Sequence, residues 1–362
     1  MSRTRGEEGT WETISPDLSK NNKERIAQSK LTNLQYATIT TFAESPDKPG
    51  VYWAGTDDGN LQLSKDGGKT WENITARFYD GNGKPKKEVE GTRIPYDRWV
   101  TKVEASAHDL ETCYVTYSGY RTHNEDTSYI FASHDFGQTW EDLSAGMMNP
   151  VNDIEEDPDN PDVLYLATDY GVFVTVDKGK NWVEMSSSAP DVLILGVAIQ
   201  ERERDLAIGT YGRGFYIADI HPLKEFKKEV LEKDAHLFDI QRVIKWRMLE
   251  RRGQQYGEFA RTTNPPNEAK IYYYLKDKVD KVKFVVQDLE GKEIQKITGS
   301  SGKGLQQSTW NLRRNASQAQ AGQRRARQEE ELAAGVYKIV FFVDGEEIQT
   351  KKLEILEDPI LK

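Results

Sequence analysis

Ser64-Lys-Asp66-Gly-Gly68-Lys-Thr70-Trp71 returns as Ser133-His-Asp135-Phe-Gly137-Gln-Thr139-Trp140 and again as Thr175-Val-Asp177-Lys-Gly179-Lys-Asn181-Trp182. The shared pattern is Ser/Thr-x-Asp-x-Gly-x-Thr-Trp, with Asn181 in place of Thr in the third copy. A broken copy ends at Thr10-Trp11. The residues after each Trp align as well: Trp11-Glu-Thr-Ile14-Ser15, Trp71-Glu-Asn-Ile74-Thr75, Trp140-Glu-Asp-Leu143-Ser144 and Trp182-Val-Glu-Met185-Ser186. Repetition of this kind means that one supersecondary unit is used several times. Its chemistry is that of a tight hairpin. The Asp carboxylate accepts hydrogen bonds from N–H groups inside the turn. Gly allows the positive φ that the turn needs. Thr starts the return strand, and Trp packs its ring beneath the turn. These Asp residues therefore read as structural staples, although they look like paired catalytic carboxylates.

Working outward, two short apolar runs precede the pattern in its first and third copies. They are Val51–Ala54 with Asn60–Ser64, and Val163–Ala167 with Val172–Thr175. A further unit has Asp205–Ile208 and Gly214–Ile217 but no turn motif. Earlier runs lie near Thr38–Glu44, Val100–Ala105, Val151–Glu155 and Ile194–Gln200. Such runs, separated by Gly, Asp and Pro turns, predict an all-β chain folded as four-stranded β-propeller blades. About four blades fit between Thr38 and Asp219, at the lower end of the usual range for a closed propeller. Trp11–Ser15 reads as the last strand of a blade whose beginning is absent. The expectation is a partial or small propeller over residues 1–222, with missing blades supplied by the same precursor or by another chain.

Leu223–Asp234 has helical periodicity, with Leu223, Phe226, Val230 and Leu231 on one face. It reads as a connector that continues irregularly over 223–265 and ends at Asn264-Pro265-Pro266. Residues 266–362 then read as a β-sandwich. Strands are expected at Ala269–Leu275, Val282–Gln287, Glu293–Thr298, Gln306–Leu312, Val336–Val343 and Glu347–Ile355. The sandwich resembles Ig-like domains of the fibronectin or flagellar-hook-cap type. A Gln-, Ala-, Arg- and Glu-rich insertion at 315–334 reads as a solvated helix or disordered segment.

Composition removes several function classes. The 362-residue chain carries a net charge of -10, which argues against binding to nucleic acid or to an anionic membrane surface. No apolar run is long enough to be a transmembrane helix. The Met1–Trp11 stretch lacks the apolar h-region of a signal peptide. The single cysteine, Cys113, excludes an internal disulfide and sits in an apolar run that suits a buried thiol. The five histidines are scattered, so neither a metal site nor a cofactor is expected.

The repeated motif resembles the Asp-box, or BNR repeat, of sialidases, sortilin-type propellers and xyloglucan hydrolases. The wider order is similar to the C-terminal part of large bacterial proteins with sortilin-like propellers, often labelled glycosyl hydrolases. Ile14–Leu18, Phe42–Pro46, Val51–Gly59, Gly209–Phe215, Ala235–Phe238 and Gly335–Tyr337 carry that likeness. It implies a secreted, extracytoplasmic setting. It says little about chemistry, because propellers host many functions.

In a four-stranded meander the repeat turn joins the third and fourth strands. The second-to-third turns and the sheet-to-sheet connections then share the opposite face. That face holds the two long insertions, 76–99 and 118–128, and long loops on a rigid scaffold tend to carry function. The ligand-face candidates are Arg93, Trp99, Tyr120, Arg121, Tyr170, Tyr211 and Arg213. Aromatics stack on sugars or peptide side chains, and Arg pairs with carboxylates. The plainer reading is that these arginines are simply solvated.

No nucleophile elbow, His-Glu-x-x-His or phosphate-binding loop occurs. The sequence therefore points to a non-catalytic scaffold that binds a protein, peptide or glycan. The alternative is a glycoside hydrolase. A xyloglucanase-like enzyme would use two carboxylates across a cleft, for which Asp57, Asp58 and Asp169 are the candidates. Each has a plainer reading as a turn stabiliser, and such an enzyme needs a cleft built from additional blades. A sialidase would bind its substrate's carboxylate with three arginines. Arg93-Ile94-Pro95 matches the sialidase Arg-Ile-Pro, but it follows a repeat turn where sialidases place it before the first.

Overall fold

The computed structural model describes residues 1–4, 11–32, 36–185, 192–246, 267–314 and 330–359. The chain divides into two compact units, Met1–Lys224 and Glu225–Lys362.

In the first unit, β1 (Ser2–Thr4) pairs with β2 (Trp11–Thr13). The first four-stranded sheet runs β3 (Ile39–Glu44), β4 (Tyr52–Thr56), β5 (Leu61–Ser64) and β6 (Glu72–Asn73). The second runs β7 (Trp99–Ala105), β8 (Cys113–Ser118), β9 (Tyr129–Ser133) and β10 (Glu141–Asp142). The third runs β11 (Val151–Glu156), β12 (Leu164–Thr168), β13 (Gly171–Thr175) and β14 (Val183–Glu184). The fourth has β15 (Ile194–Gln200), β16 (Asp205–Thr210) and β17 (Phe215–Asp219). Every sheet is an antiparallel meander, and the leading strands β3, β7, β11 and β15 pack successively against one another. This is a propeller-type succession of blades.

Two expectations are corrected. The fourth blade has three strands among the described residues, because no repeat turn follows β17. The chain instead docks the Ile220 N–H on the Arg204 carbonyl and enters a 3-10 turn at His221–Glu225. The strand expected at Trp11–Ser15 ends at Thr13, where it pairs with β1.

The middle strands explain the sheet stacking. β4, β8 and β12 are buried along their whole length, so their two faces serve two neighbours. On β8, Val115 and Tyr117 join a core with Trp53, Leu61 and Leu63 of the first blade. Tyr114, on the opposite face, joins a core with Val151, Ile154, Leu164 and Leu166 of the third. Cys113 lies in the first of these cores, and burial pushes its thiol well up.

The repeat turns are closed by their own side chains. Asp66 Oδ1 accepts from the Thr70 N–H at 2.9 Å, and Oδ2 accepts from the Thr70 hydroxyl at 2.7 Å. Those bonds hold the Asp66 carboxyl down at about 2. Asp135 is bound the same way by Thr139, at 2.9 and 2.6 Å. In the third copy the Asn181 side-chain amide donates to Asp177 Oδ2 at 2.7 Å, replacing the missing hydroxyl.

The turns also seat one blade on the next. A Cβ at Gly68 would lie 2.4 Å from the Ile14 carbonyl oxygen. One at Gly137 would lie 2.9 Å from Ile74 Cγ2, and one at Gly179 would lie 2.9 Å from Leu143 Cδ1. Trp71 Nε1 donates to the Ile14 carbonyl at 2.9 Å, and Trp182 Nε1 to that of Leu143 at 2.8 Å. The third residue after each repeat Trp is thus the seat for the next turn, which is why the tails align.

The second unit has a sheet ordered β18 (Ala235–Leu237), β20 (Ala269–Leu275), β23 (Gly304–Trp310). The other large sheet is ordered β19 (Val243–Lys245), β27 (Glu346–Glu357), β26 (Gly335–Val343), β21 (Val282–Gln287), β22 (Glu293–Gly299). Both contribute to one core, with Ile271 and Tyr273 from the first and Phe284, Phe341 and Ile355 from the second. β24 (Arg313–Arg314) pairs with β25 (Glu330–Glu331). Residues 235–237 and 243–245, expected to be irregular, are strands because β18 pairs with β20 and β19 runs parallel to β27. The expected helix at 223–234 is confined to Lys228–Glu232 after the 3-10 turn. Gly335 begins a strand. Positions 315–329 of the polar insertion lie outside the described residues.

Candidate functional site

A feature with no mark in the sequence shapes the face opposite the repeat turns. Each leading strand is bulged near its start: between Ile39 and Thr41, Val100 and Lys102, Val151 and Asp153, and Ile194 and Gly196. A bulge re-aims the extra side chain. Here the extra residues are Thr40, Thr101, Asn152 and Leu195. Three of them reach the next blade's bulge. Thr40 Oγ1 donates to the Val100 carbonyl at 2.7 Å and Thr101 Oγ1 to that of Val151 at 3.0 Å. Asn152 Nδ2 donates to that of Ile194 at 2.9 Å. Leu195 has no donor, so this belt stops at the fourth blade.

Three of the bulge residues line a cavity of about 470 Å³ on this face. Thr101 and Trp99 come from the start of β7, with Ser118 at the end of β8 and Tyr120 just beyond it. Asn152 comes from β11, Asp169 and Tyr170 from the β12–β13 turn, and Leu193 and Leu195 from the start of β15. Tyr120, Tyr170 and Leu195 are 51%, 57% and 51% exposed, so they stand at the rim. Asp169 Oδ1 accepts from Asn152 Nδ2 at 2.8 Å, and the Asp169 N–H donates to the Pro150 carbonyl at 3.1 Å.

The two long insertions brace this cavity. Arg98 grips Glu125 through Nε to Oε2 at 2.9 Å and Nη2 to Oε1 at 2.7 Å. The Arg98 guanidinium holds the Glu125 carboxyl below the usual range, and the Tyr129 hydroxyl also donates to it. Asp97 meets Arg98 and lies 3.3 Å from His123 Nε2. Gly119 lies beneath this pair, and a Cβ there, 2.4 Å from Glu125 Oε2, would displace the carboxylate. Residues on either side of the clamp, Trp99 and Tyr120, are thereby fixed as cavity walls.

A second cavity, of about 520 Å³, was missed by sequence reasoning. Lys20, Arg25 and Tyr36 line it together with Asp58, Tyr79 and Tyr96. Lys20 Nζ donates to the Tyr96 carbonyl and lies 3.4 Å from the centre of the Tyr96 ring. Burial pulls the Lys20 ammonium down to about 8. Arg25 Nη1 donates to the Tyr36 hydroxyl at 3.0 Å.

Of the residues singled out by sequence, Trp99, Tyr120, Asp169 and Tyr170 share the first cavity. Tyr211 is 70% exposed and its N–H donates to the Leu193 carbonyl at 2.8 Å, next to that cavity. Arg213 is exposed on the β16–β17 turn. Arg93 is spent on its own loop, donating through Nη2 to the Lys86 and Val89 carbonyls. The Arg121 side chain lies outside the described residues. Asp57 caps the start of β3, accepting from the Thr38 N–H at 2.9 Å and hydroxyl at 3.2 Å, and burial pushes its carboxyl up. Asp58 is buried, with Thr56 Oγ1 on Oδ1 at 2.6 Å and the Lys20 N–H on Oδ2 at 2.7 Å. Asp58 and Asp169 line different cavities and Asp57 lines neither. Among the described residues, no cluster of His, Cys, Asp or Glu could hold a metal ion.

No protein-family model matches the chain, and no curated protein matches it. Solved structures do. YCF48 from Cyanidioschyzon merolae is 16% identical with a TM-score of 0.31, covering 50% of this chain and 56% of that one. The GH74 xyloglucanase from Xanthomonas campestris is 12% identical with a TM-score of 0.38, covering 86% and 45%. An ancestral GH74 enzyme is 11% identical with a TM-score of 0.38, covering 87% and 38%. The chain spans less than two thirds of the length of each. The propeller architecture rests on the sheets themselves.

Proposed function

We propose that the first unit is a non-catalytic, Asp-box, sortilin-like propeller scaffold in an extracytoplasmic protein, followed by an Ig-like second unit. It binds a protein, peptide or glycan in the cavity walled by Trp99, Tyr120 and Tyr170. The carrying observation is that these aromatic side chains converge on one cavity of ligand size, beside which Arg98 grips Glu125. The hydrolytic alternative loses its carboxylate pair. Asp57 and Asp58 have both oxygens engaged by neighbouring backbone and hydroxyl groups. Asp58 and Asp169 do not face a common cavity.

The test is a screen of the 362-residue protein against peptide and oligosaccharide arrays, repeated with Trp99→Ala, Tyr120→Ala and Tyr170→Ala combined. Ligands lost in the triple variant, with its melting curve kept, support the reading. Ligands bound equally by both proteins refute this cavity. Cleavage of a xyloglucan oligosaccharide that Asp169→Asn abolishes would restore the hydrolase.

A further inference from the structure

We infer that the cavity takes a basic side chain, a lysine or arginine in an extended segment of a partner protein. This deepens the binding reading above and rests on it. Asp169 is the only charged residue among the described lining residues, and no lysine or arginine joins it. Asn152 occupies Oδ1 of Asp169 and leaves the other carboxylate oxygen to meet a donor. The strands that form the walls add to the same sign. Next in sequence to the lining residues Thr101 and Asn152, β7 and β11 bring Asp153 and Glu155 to the single ammonium of Lys102, at 3.0 and 3.4 Å. The whole chain carries -10. An anionic ligand entering here would lose its hydration and meet no positive group among the described lining residues. A cation would meet a carboxylate in a field of favourable sign.

The rest of the lining suits a long basic side chain better than a bare cation or a neutral sugar. Tyr120 and Tyr170, exposed at the rim, supply π-faces that attract ammonium and guanidinium groups. Leu193 and Leu195 supply an aliphatic wall for the methylene stem of the same side chain. A cavity of about 470 Å³ has room beyond one side chain. Its rim residues Tyr120, Tyr170 and Leu195 are exposed and offer a surface to the flanking residues of an extended segment.

The experiment is calorimetric titration of the 362-residue protein with a lysine peptide flanked by alanines. The same peptide with Nε-acetyllysine, its glutamate counterpart, n-butylammonium ion and cellotetraose are run beside it. The lysine peptide should bind, and acetylation should weaken it about tenfold, the loss of one charge-assisted hydrogen bond. Asp169→Asn, which keeps the oxygen that Asn152 binds, should weaken the lysine peptide by the same factor and erase its advantage over the acetylated form. Raising the salt should weaken only the charged peptide. Equal binding of lysine and acetyllysine, or tighter binding of glutamate, overturns the inference on the unaltered protein. n-Butylammonium binding as tightly as the peptide overturns the peptide assignment. Tyr170-dependent binding of cellotetraose alone overturns the charge preference but leaves the cavity as a binding site. Binding of none of the probes brings down both readings.

Discussion

Gly137 and Gly146 have nearly the same backbone conformation, with φ of +75° and +76°, but different surroundings. A Cβ at Gly137 would press on Ile74 of the preceding blade, whereas nothing lies within 4 Å at Gly146. Both Ala variants should lose about 1–2 kcal/mol from the left-handed backbone. Gly137→Ala should lose about 1–3 kcal/mol more from overpacking. Denaturant titration of the two variants measures that difference directly. Equal losses would mean that seating the turn on Ile74 contributes nothing to stability. The same turns make a second prediction. Asn181 stands where Thr stands in the other copies, and its amide fills the second Asp177 oxygen. Asn181→Thr should therefore change stability by less than about 0.5 kcal/mol, while Asn181→Ala should cost about 1 kcal/mol. A larger loss for Thr than for Ala would show that the hydroxyl cannot reach Asp177 from this backbone.

At the level of strands, the leading strands carry a proton-linked group that the hairpins do not. Glu104 lies with Glu155 and Asp153 around Lys102. Burial, and then the charge of Glu155, raises its carboxyl above the usual range. An acid whose folded value is raised keeps its proton in the native state after the unfolded chain has lost it. Stability then falls as pH climbs from the ordinary carboxylate value to the raised one. Thermal melts from mildly acidic to mildly alkaline pH should show this decline, and Glu104→Gln should flatten it. An unchanged slope in the variant would assign the decline to other groups. The repeat turns were readable in sequence because their chemistry closes within eight residues, from Ser64 to Trp71. The long strands were readable because apolar runs end at Gly, Asp and Pro. The bulges were not. Val100-Thr101-Lys102 and Val151-Asn152-Asp153 read as plain alternation, and one extra residue leaves no compositional trace. That is why Thr101, Asn152 and Leu195 were missed while Trp99, Tyr120 and Tyr170 were found. Lys20 was missed for a different reason. Its place is set by the Asp58 carboxylate and the Tyr96 carbonyl, partners far along the chain that no local pattern announces. β19 is the same case, since its parallel partner β27 lies near the other end of the unit.

For the molecule as a whole, the decisive fact is where the apolar cores are drawn from. The core of the second unit runs from Leu237 to Ile355, and every residue in it belongs to that unit. Phe284 stacks on its cross-strand neighbour Phe341 at 5.2 Å, and Tyr273 of the other sheet meets Phe284 edge-on at 5.1 Å, joining the two sheets. A core of this kind makes a unit of this size able to fold alone. The Glu225–Lys362 segment expressed by itself should therefore give dispersed amide resonances and one cooperative melt. Phe284→Ala should cost about 3–5 kcal/mol in that segment and lower the corresponding transition in the whole chain by a similar amount. The transition of the first unit should stay where it was. A collapsed, non-cooperative segment would show that its core is insufficient without the blades. A shift of both transitions by the one substitution would show that the two units melt as one.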